Sequence, residues 1–146
     1  MLTETNKAVS RRFFEEVFGK GKLAVADEIV DKDHINTGPS NPPGLPPGLE
    51  GTKQFITMYR NAFPDLRFTI DEQIAEGDKV VTRWTAYGAQ QGEMAGIPAT
   101  GKSATVTGIV VDRIVNGKIV ESWPTFGQFG MLQQLGVIPM PEVAGK

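Results

Sequence analysis

Apolar residues fall at helical spacing in the first third of the chain and at alternate positions in its second half. Over residues 3–18, Val9, Phe13 and Val17 stand four apart, and Phe14 and Phe18 widen the stripe. Thr3 or Thr5 suits the first turn as a cap, and Gly19 and Gly21 mark the end. The phenylalanines of this helix are read as core packing. A shorter helix is predicted over 23–30, with Leu23, Ala26, Ile29 and Val30 inward. A third covers 52–61, carried by Phe55, Ile56 and Tyr59 and stopped by Pro64.

From there the pattern becomes strand-like. Residues 66–75 and 80–87 flank the turn Glu76-Gly77-Asp78, and 103–115 and 119–123 flank Asn116-Gly117. An Asn-Gly pair between two β-branched runs favours a two-residue hairpin turn. Gly108 inside the longest strand weakens it unless the sheet bends there. Residues 128–136 read as a short closing turn of helix. Helices come first and hairpins afterwards, which predicts an α+β domain with helices packed on a strongly curved antiparallel sheet around an apolar pocket. The whole chain, 1–146, is read as one domain.

Between these halves, residues 31–51 read DKDHINTGPSNPPGLPPGLEG, a stretch too dense in proline and glycine for a regular element to persist. A loop of this length in a small domain often covers a site. Residues 36–51 are therefore expected to form either a stiff rim or lid over the pocket or a plain surface excursion.

Composition narrows the choice of function. Fifteen Lys and Arg against seventeen Asp and Glu give a formal charge of −2, without the basic stripe that phosphate neutralisation requires, so nucleic acid is not an expected partner. The absence of cysteine removes thiolate nucleophiles and sulfur-ligated metals. It is compatible with a reducing compartment, and a cytoplasmic location is the expectation. The opening residues lack the basic-then-apolar order of a signal peptide, and no apolar run approaches a membrane span. Elbow, dinucleotide and phosphate-loop motifs are missing as well.

The remaining chemistry rests on few residues. His34 is the single histidine, suited to general base work if a neighbour such as Asp31 or Asp33 orients it, and equally suited to a structural hydrogen bond. One histidine cannot build a His-rich metal site, and no metal is expected. Asp71 and Asp112 interrupt apolar surroundings and are candidates to face a cavity, where burial would raise their proton affinity. They are also compatible with the solvent face of a half-exposed sheet.

Several segments together resemble one family: NKAVSRRFFEEVF, PSNPPGLPPGLEGTKQFITMYRNAFPDLRFTI, EGDKVVTRWTAYG, GEMAGIPATGKSATVTGIVVDRIVNGKIVESW and GMLQQLG. In order and spacing they are similar to the SnoaL-like polyketide cyclase (ester cyclase) family of the NTF2-like superfamily, across residues 6–139. The resemblance implies an NTF2-like cone, with three N-terminal helices on the curved sheet. It also implies intramolecular aldol cyclisation of polyketide esters without a cofactor, with a cavity aspartate taking the proton α to a carbonyl. In the family pattern ExWxxxDxxGLLQQLG that aspartate falls on Gly127, and two histidines common in relatives fall on Thr37 and Gln90.

The expected function is accordingly that of a polyketide cyclase homologue acting on or binding a hydrophobic (poly)cyclic small molecule, by aldol cyclisation or related isomerase or lyase chemistry. A non-catalytic binding protein and a diverged hydroxylase or hydratase are the alternatives. His34, Gln90 and Asp112 are the catalytic candidates. Thr37, Tyr59, Trp84, Gln90, Trp123, Phe126 and Gly127 are the candidates for contact with the ligand. An apolar small molecule is the expected partner, with no membrane, and fold analogy points to a homodimer.

Overall fold

The computed structural model describes residues 2–38, 42 and 44–139. It is an α+β structure with helices packed on one five-stranded sheet, as the patterning predicts. Helix α1 (Leu2–Arg12) runs straight into a π-helical segment (Phe13–Phe18), and Gly21 at φ +71 then turns the chain into α2 (Leu23–Ile29). Helix α3 (Gly48–Ala62) precedes the strands β2 (Arg67–Glu76), β3 (Lys79–Ala89), β4 (Ser103–Val115) and β5 (Lys118–Phe126), and α4 (Gln128–Gln134) closes the chain. Among the described residues no helix is long and apolar enough to cross a membrane.

One element departs from expectation. Residues 30–36 form strand β1 (Val30–Asn36), where the sequence reads as the end of a helix followed by loop. β1 is an edge strand that pairs parallel to β5, so the sheet order is β1-β5-β4-β3-β2 and only the last four strands form an antiparallel meander. Its burial pattern explains the difference. Only Val30 and His34 are buried, while Asp31, Lys32 and Asp33 mask the alternation with charge. Gly48 lets the following segment approach β1, where a Cβ would collide with the Lys32 carbonyl, and Gly51 lets that segment fold on itself, where a Cβ would collide with the Pro46 carbonyl.

The hairpin signals are realised. Gly77 has positive φ, as do Asn116 and Gly117, the pair that a type I′ turn requires. β4 alternates strictly, placing Ala104, Val106, Val110, Asp112 and Ile114 on the buried face. Gly108 faces inward in the same row, opposite Trp84 on β3. A side chain there would collide with the Trp84 indole and crowd Phe126, so this glycine serves close approach of an aromatic wall. The β4–β5 register contains one irregularity: Ile114 pairs with Ile119 but Arg113 with Glu121, leaving Val120 as an extra residue. Beyond this bulge the faces of β5 exchange.

Two apolar clusters result. Val9, Val17, Ile29, Ile56, Val80 and Ile119 pack between the helices and the sheet. The second, built on Phe14, Tyr59, Phe63, Trp84, Val110 and Met131, surrounds a cavity of about 690 Å³.

Candidate functional site

The cavity wall is largely aromatic. A π-helical turn brings residues five apart onto neighbouring positions, and Phe13 and Phe18 stand 6.2 Å apart between ring centroids. With Phe14 they line the cavity, so the phenylalanines read as core packing are also cavity wall. Trp84 from β3 and Phe126 from β5 meet across Gly108 with centroids 6.2 Å apart. Helix α3 presents Thr52, Phe55 and Tyr59 on its cavity face, and Leu45, Pro46 and Pro47 border the same space.

Polar atoms gather at one end of this wall. His34 from β1 meets the Ser122 hydroxyl from β5, Nε2 to Oγ 2.9 Å. Ser122 donates to Asp112 Oδ1 across the β4–β5 pair at 2.6 Å, and Ser10 from α1 donates to Asp112 Oδ2 at 2.9 Å. On the other side of the imidazole, Thr52 Oγ1 stands 3.3 Å from Nδ1. Because the single Ser122 proton goes to Asp112, Ser122 accepts from His34, which assigns the neutral tautomer with hydrogen on Nε2. The order is histidine–serine–aspartate with the serine in the middle. A hydrolase triad needs the histidine in the middle, so this geometry does not activate Ser122 as a nucleophile.

Burial displaces both ends of this chain. Loss of water lowers His34 from 6.5 to about 4, only partly opposed by the charge of Asp31, so it is neutral at pH 7. Loss of water raises Asp112 from 3.8 to about 6, while the Ser122 and Ser10 hydroxyls pull it down. Among the described residues no Lys or Arg pairs with Asp112; its neighbours Arg113 and Glu121 face each other at 3.7 Å, outside the cavity lining.

The sequence-predicted residues divide. His34, Asp112, Tyr59, Trp84 and Phe126 line the cavity, and the first two are joined through Ser122. Gln90 is fully buried but outside the lining. Its amide donates to the carbonyls of Gly92, Ile97 and Pro98 and accepts from Thr100, organising the loop before β4. Thr37 is exposed beyond β1, its N–H donating to the Ser122 carbonyl. Trp123 pairs with Val111 on the face opposite Ser122, turned away from the cavity by the bulge at Val120. Gly127 sits at the start of α4 outside the cavity lining, and a Cβ there would meet only the Thr107 carbonyl oxygen at 3.9 Å. Asp71 is bound by the Thr85 hydroxyl at 2.6 Å and does not line the cavity.

Sequence reasoning missed Ser122, Ser10 and Thr52. A plain two-residue hairpin about Asn116-Gly117 would set Glu121 opposite Asp112, and only the bulge replaces it with Ser122.

Comparison with known proteins converges on one family. The family model described as SnoaL-like polyketide cyclase matches residues 8–135. The chain is 30% identical over 134 residues to aklanonic acid methyl ester cyclase DnrD of Streptomyces peucetius, covering 87% of this chain and 89% of that protein. It is 29% identical over 131 residues to nogalonic acid methyl ester cyclase of Streptomyces nogalater, covering 88% and 95%. The solved structure of TsrD from Streptomyces laurentii superposes with a TM-score of 0.82 at 27% identity, over 92% of this chain and 97% of that one.

Proposed function

Since the chain belongs to the SnoaL-like polyketide cyclase family, we propose that its cavity folds an apolar polyketide ester and closes a ring in it by intramolecular aldol addition, with the His34–Ser122–Asp112 chain as the proton acceptor. The observation that carries this reading is the pair of oppositely displaced ionisable groups, joined by one hydroxyl, at the polar end of an aromatic cavity.

The chemistry follows from the order of the hydrogen bonds. In the neutral ring His34 Nδ1 is the acceptor, 3.3 Å from the Thr52 hydroxyl, which frees that lone pair for a substrate when it turns its proton to the Gly48 carbonyl at 3.5 Å. A proton taken there from the carbon α to a carbonyl lets the Nε2 proton pass to Ser122 and the Ser122 proton pass to Asp112. His34 alone, at about 4, is a poor base, but the proton comes to rest on a carboxylate at about 6. That difference of about two pK units corresponds to ~3 kcal/mol of added driving force. The aromatic wall supplies the rest by holding both reacting carbons together, which removes most of the entropic barrier to ring closure.

The test uses the substrates named for the relatives. Aklanonic acid methyl ester and nogalonic acid methyl ester are incubated with the purified chain and ring closure is followed by chromatography. Wild type is expected to turn over at least one. His34→Gln and Asp112→Asn should each fall by ~10²-fold or more, in line with the usual share of general base catalysis. Absence of turnover by wild type, or full activity of His34→Gln, overturns the reading.

A further inference from the structure

Tyr59 carries a hydroxyl that the fold does not use. Its ring is held by four aromatic neighbours: Phe55 at 4.9 Å, Phe63 stacked at 6.3 Å, and Phe18 and Phe126 each at 6.4 Å between centroids. The residue is 9% exposed and lines the cavity. Among the described residues nothing hydrogen-bonds its Oη, and the sole fully enclosed side-chain atom without a partner is Asn6 Nδ2, so the Tyr59 hydroxyl keeps access to the cavity space. Burial alone, unrelieved by any hydrogen bond, pushes the phenol up to about 12, so it stays protonated at neutral pH.

A phenylalanine would pack among these rings equally well. The hydroxyl opens onto the cavity and makes no contact that holds the fold, so packing gives no reason for it. Thr52, which touches His34 Nδ1, and Tyr59 lie on the same cavity face of α3, two turns or about 10 Å apart along the axis. The proton acceptor and the free O–H thus address the cavity from separate places. An aldol ring closure has two such places: the carbon that loses a proton and the carbonyl oxygen that gains one.

We propose that the Tyr59 hydroxyl is a catalytic residue that hydrogen-bonds the carbonyl under attack and protonates its oxygen as the ring closes; this rests on the aldol reading above. The balance is closed. The new C–C bond forms as the C=O π pair moves onto oxygen, and the α proton goes to the His34–Asp112 chain. The oxygen takes the phenolic proton, and Tyr59 regains one through solvent from the protonated chain, so the net change is an isomerisation.

The test pairs two probes that differ by one hydroxyl, 1-naphthol and naphthalene, binding to the full chain, with Tyr59→Phe as the variant. Wild type should bind 1-naphthol ~10-fold more tightly than naphthalene, and Tyr59→Phe should lose that preference while holding naphthalene unchanged. With the ester substrates, Tyr59→Phe should lower kcat ~10–100-fold at unchanged KM, and the low-pH limb of the rate profile should stay where wild type has it. Equal loss of both probes, no change in either, or failure of wild type to bind them overturns the proposal. A wild type inert toward the esters sinks the aldol reading instead, and the naphthol preference still decides whether Tyr59 is a donor.

Discussion

Replacing Asp112 by Asn should make the protein acid-sensitive, and replacing His34 by Gln should do the reverse. His34 falls from 6.5 in the unfolded chain to about 4 in the fold. Below 6.5 the unfolded chain takes up a proton the fold refuses, so this group's stabilisation is present above 6.5 and is lost as pH falls toward 4. Asp112 rises from 3.8 to about 6, so the fold binds its proton first. Its burial penalty is in force above 6 and is relieved as pH falls toward 3.8. Between pH ~7 and ~4.5 the first effect removes about 2 kcal/mol and the second returns about 2 kcal/mol, leaving the pair almost neutral in wild type. Asp112→Asn keeps only the loss, and His34→Gln keeps only the gain. Relative to wild type, their unfolding free energies should therefore diverge in opposite directions, by about 2 kcal/mol each over that interval.

Urea denaturation followed by the fluorescence of Trp84 and Trp123, at a series of pH values, reads this directly. Comparing the three proteins at each pH removes whatever they have in common. Parallel curves for the three would refute the assignment of both displaced groups, and with it the claim that the two sites are poised apart.

Other substitutions test the frame around the site. Gly108→Ala should lower stability by ~1–3 kcal/mol through overpacking against Trp84 and Phe126, read as a lower Tm. Arg60→Met removes two N–H donors from the carbonyls of Phe18 and Gly19 at 2.9 and 3.0 Å, and should lower stability by ~1–3 kcal/mol in thermal melts. Gly127→Asp has room for its side chain at the start of α4. It should leave stability unchanged or raise it by a few tenths of a kcal/mol. It should also leave turnover of the esters within twofold of wild type; a tenfold gain would shift the proton acceptor from Asp112 to position 127.

Much of the frame was legible because it rests on local rules. β4 alternates without a break, Asn116-Gly117 names its own turn, and the inward row of β4 places Asp112 on the buried face by parity alone. The site was less legible because it is assembled from contacts distant in the chain. His34 reaches Ser122 only through a parallel pairing of β1 with β5, and β1 hides its strand character behind Asp31, Lys32 and Asp33. Trp123 and Ser122 exchange faces through one extra residue, Val120, for which no turn signal exists. Helical periodicity places Phe13 inward but does not announce the π geometry of Phe13–Phe18, in which Phe13 stands beside Phe18 along the cavity.

The energetics of Asp112 separate an enzyme from a carrier. A carrier holds an apolar guest by the area it removes from water, worth ~25 cal/mol per Å², and the aromatic wall supplies that without any charge. Asp112 contributes nothing to such holding. It is buried to 4% exposure with two hydroxyl donors and, among the described residues, no cation, so its ionised form at pH 7 is destabilising by about 3 kcal/mol. Asparagine fits the same volume and accepts from a serine without that penalty. The carboxylate differs from asparagine in two capacities: it accepts from Ser10 and Ser122 at once, tying α1 to the sheet, and it takes a proton from Ser122 when His34 gains one. A cavity that only binds has no use for the second capacity, whereas one that must remove a proton from carbon depends on it. The cost of ionised Asp112 thus favours the proton-transfer reading proposed above over a cavity that only binds.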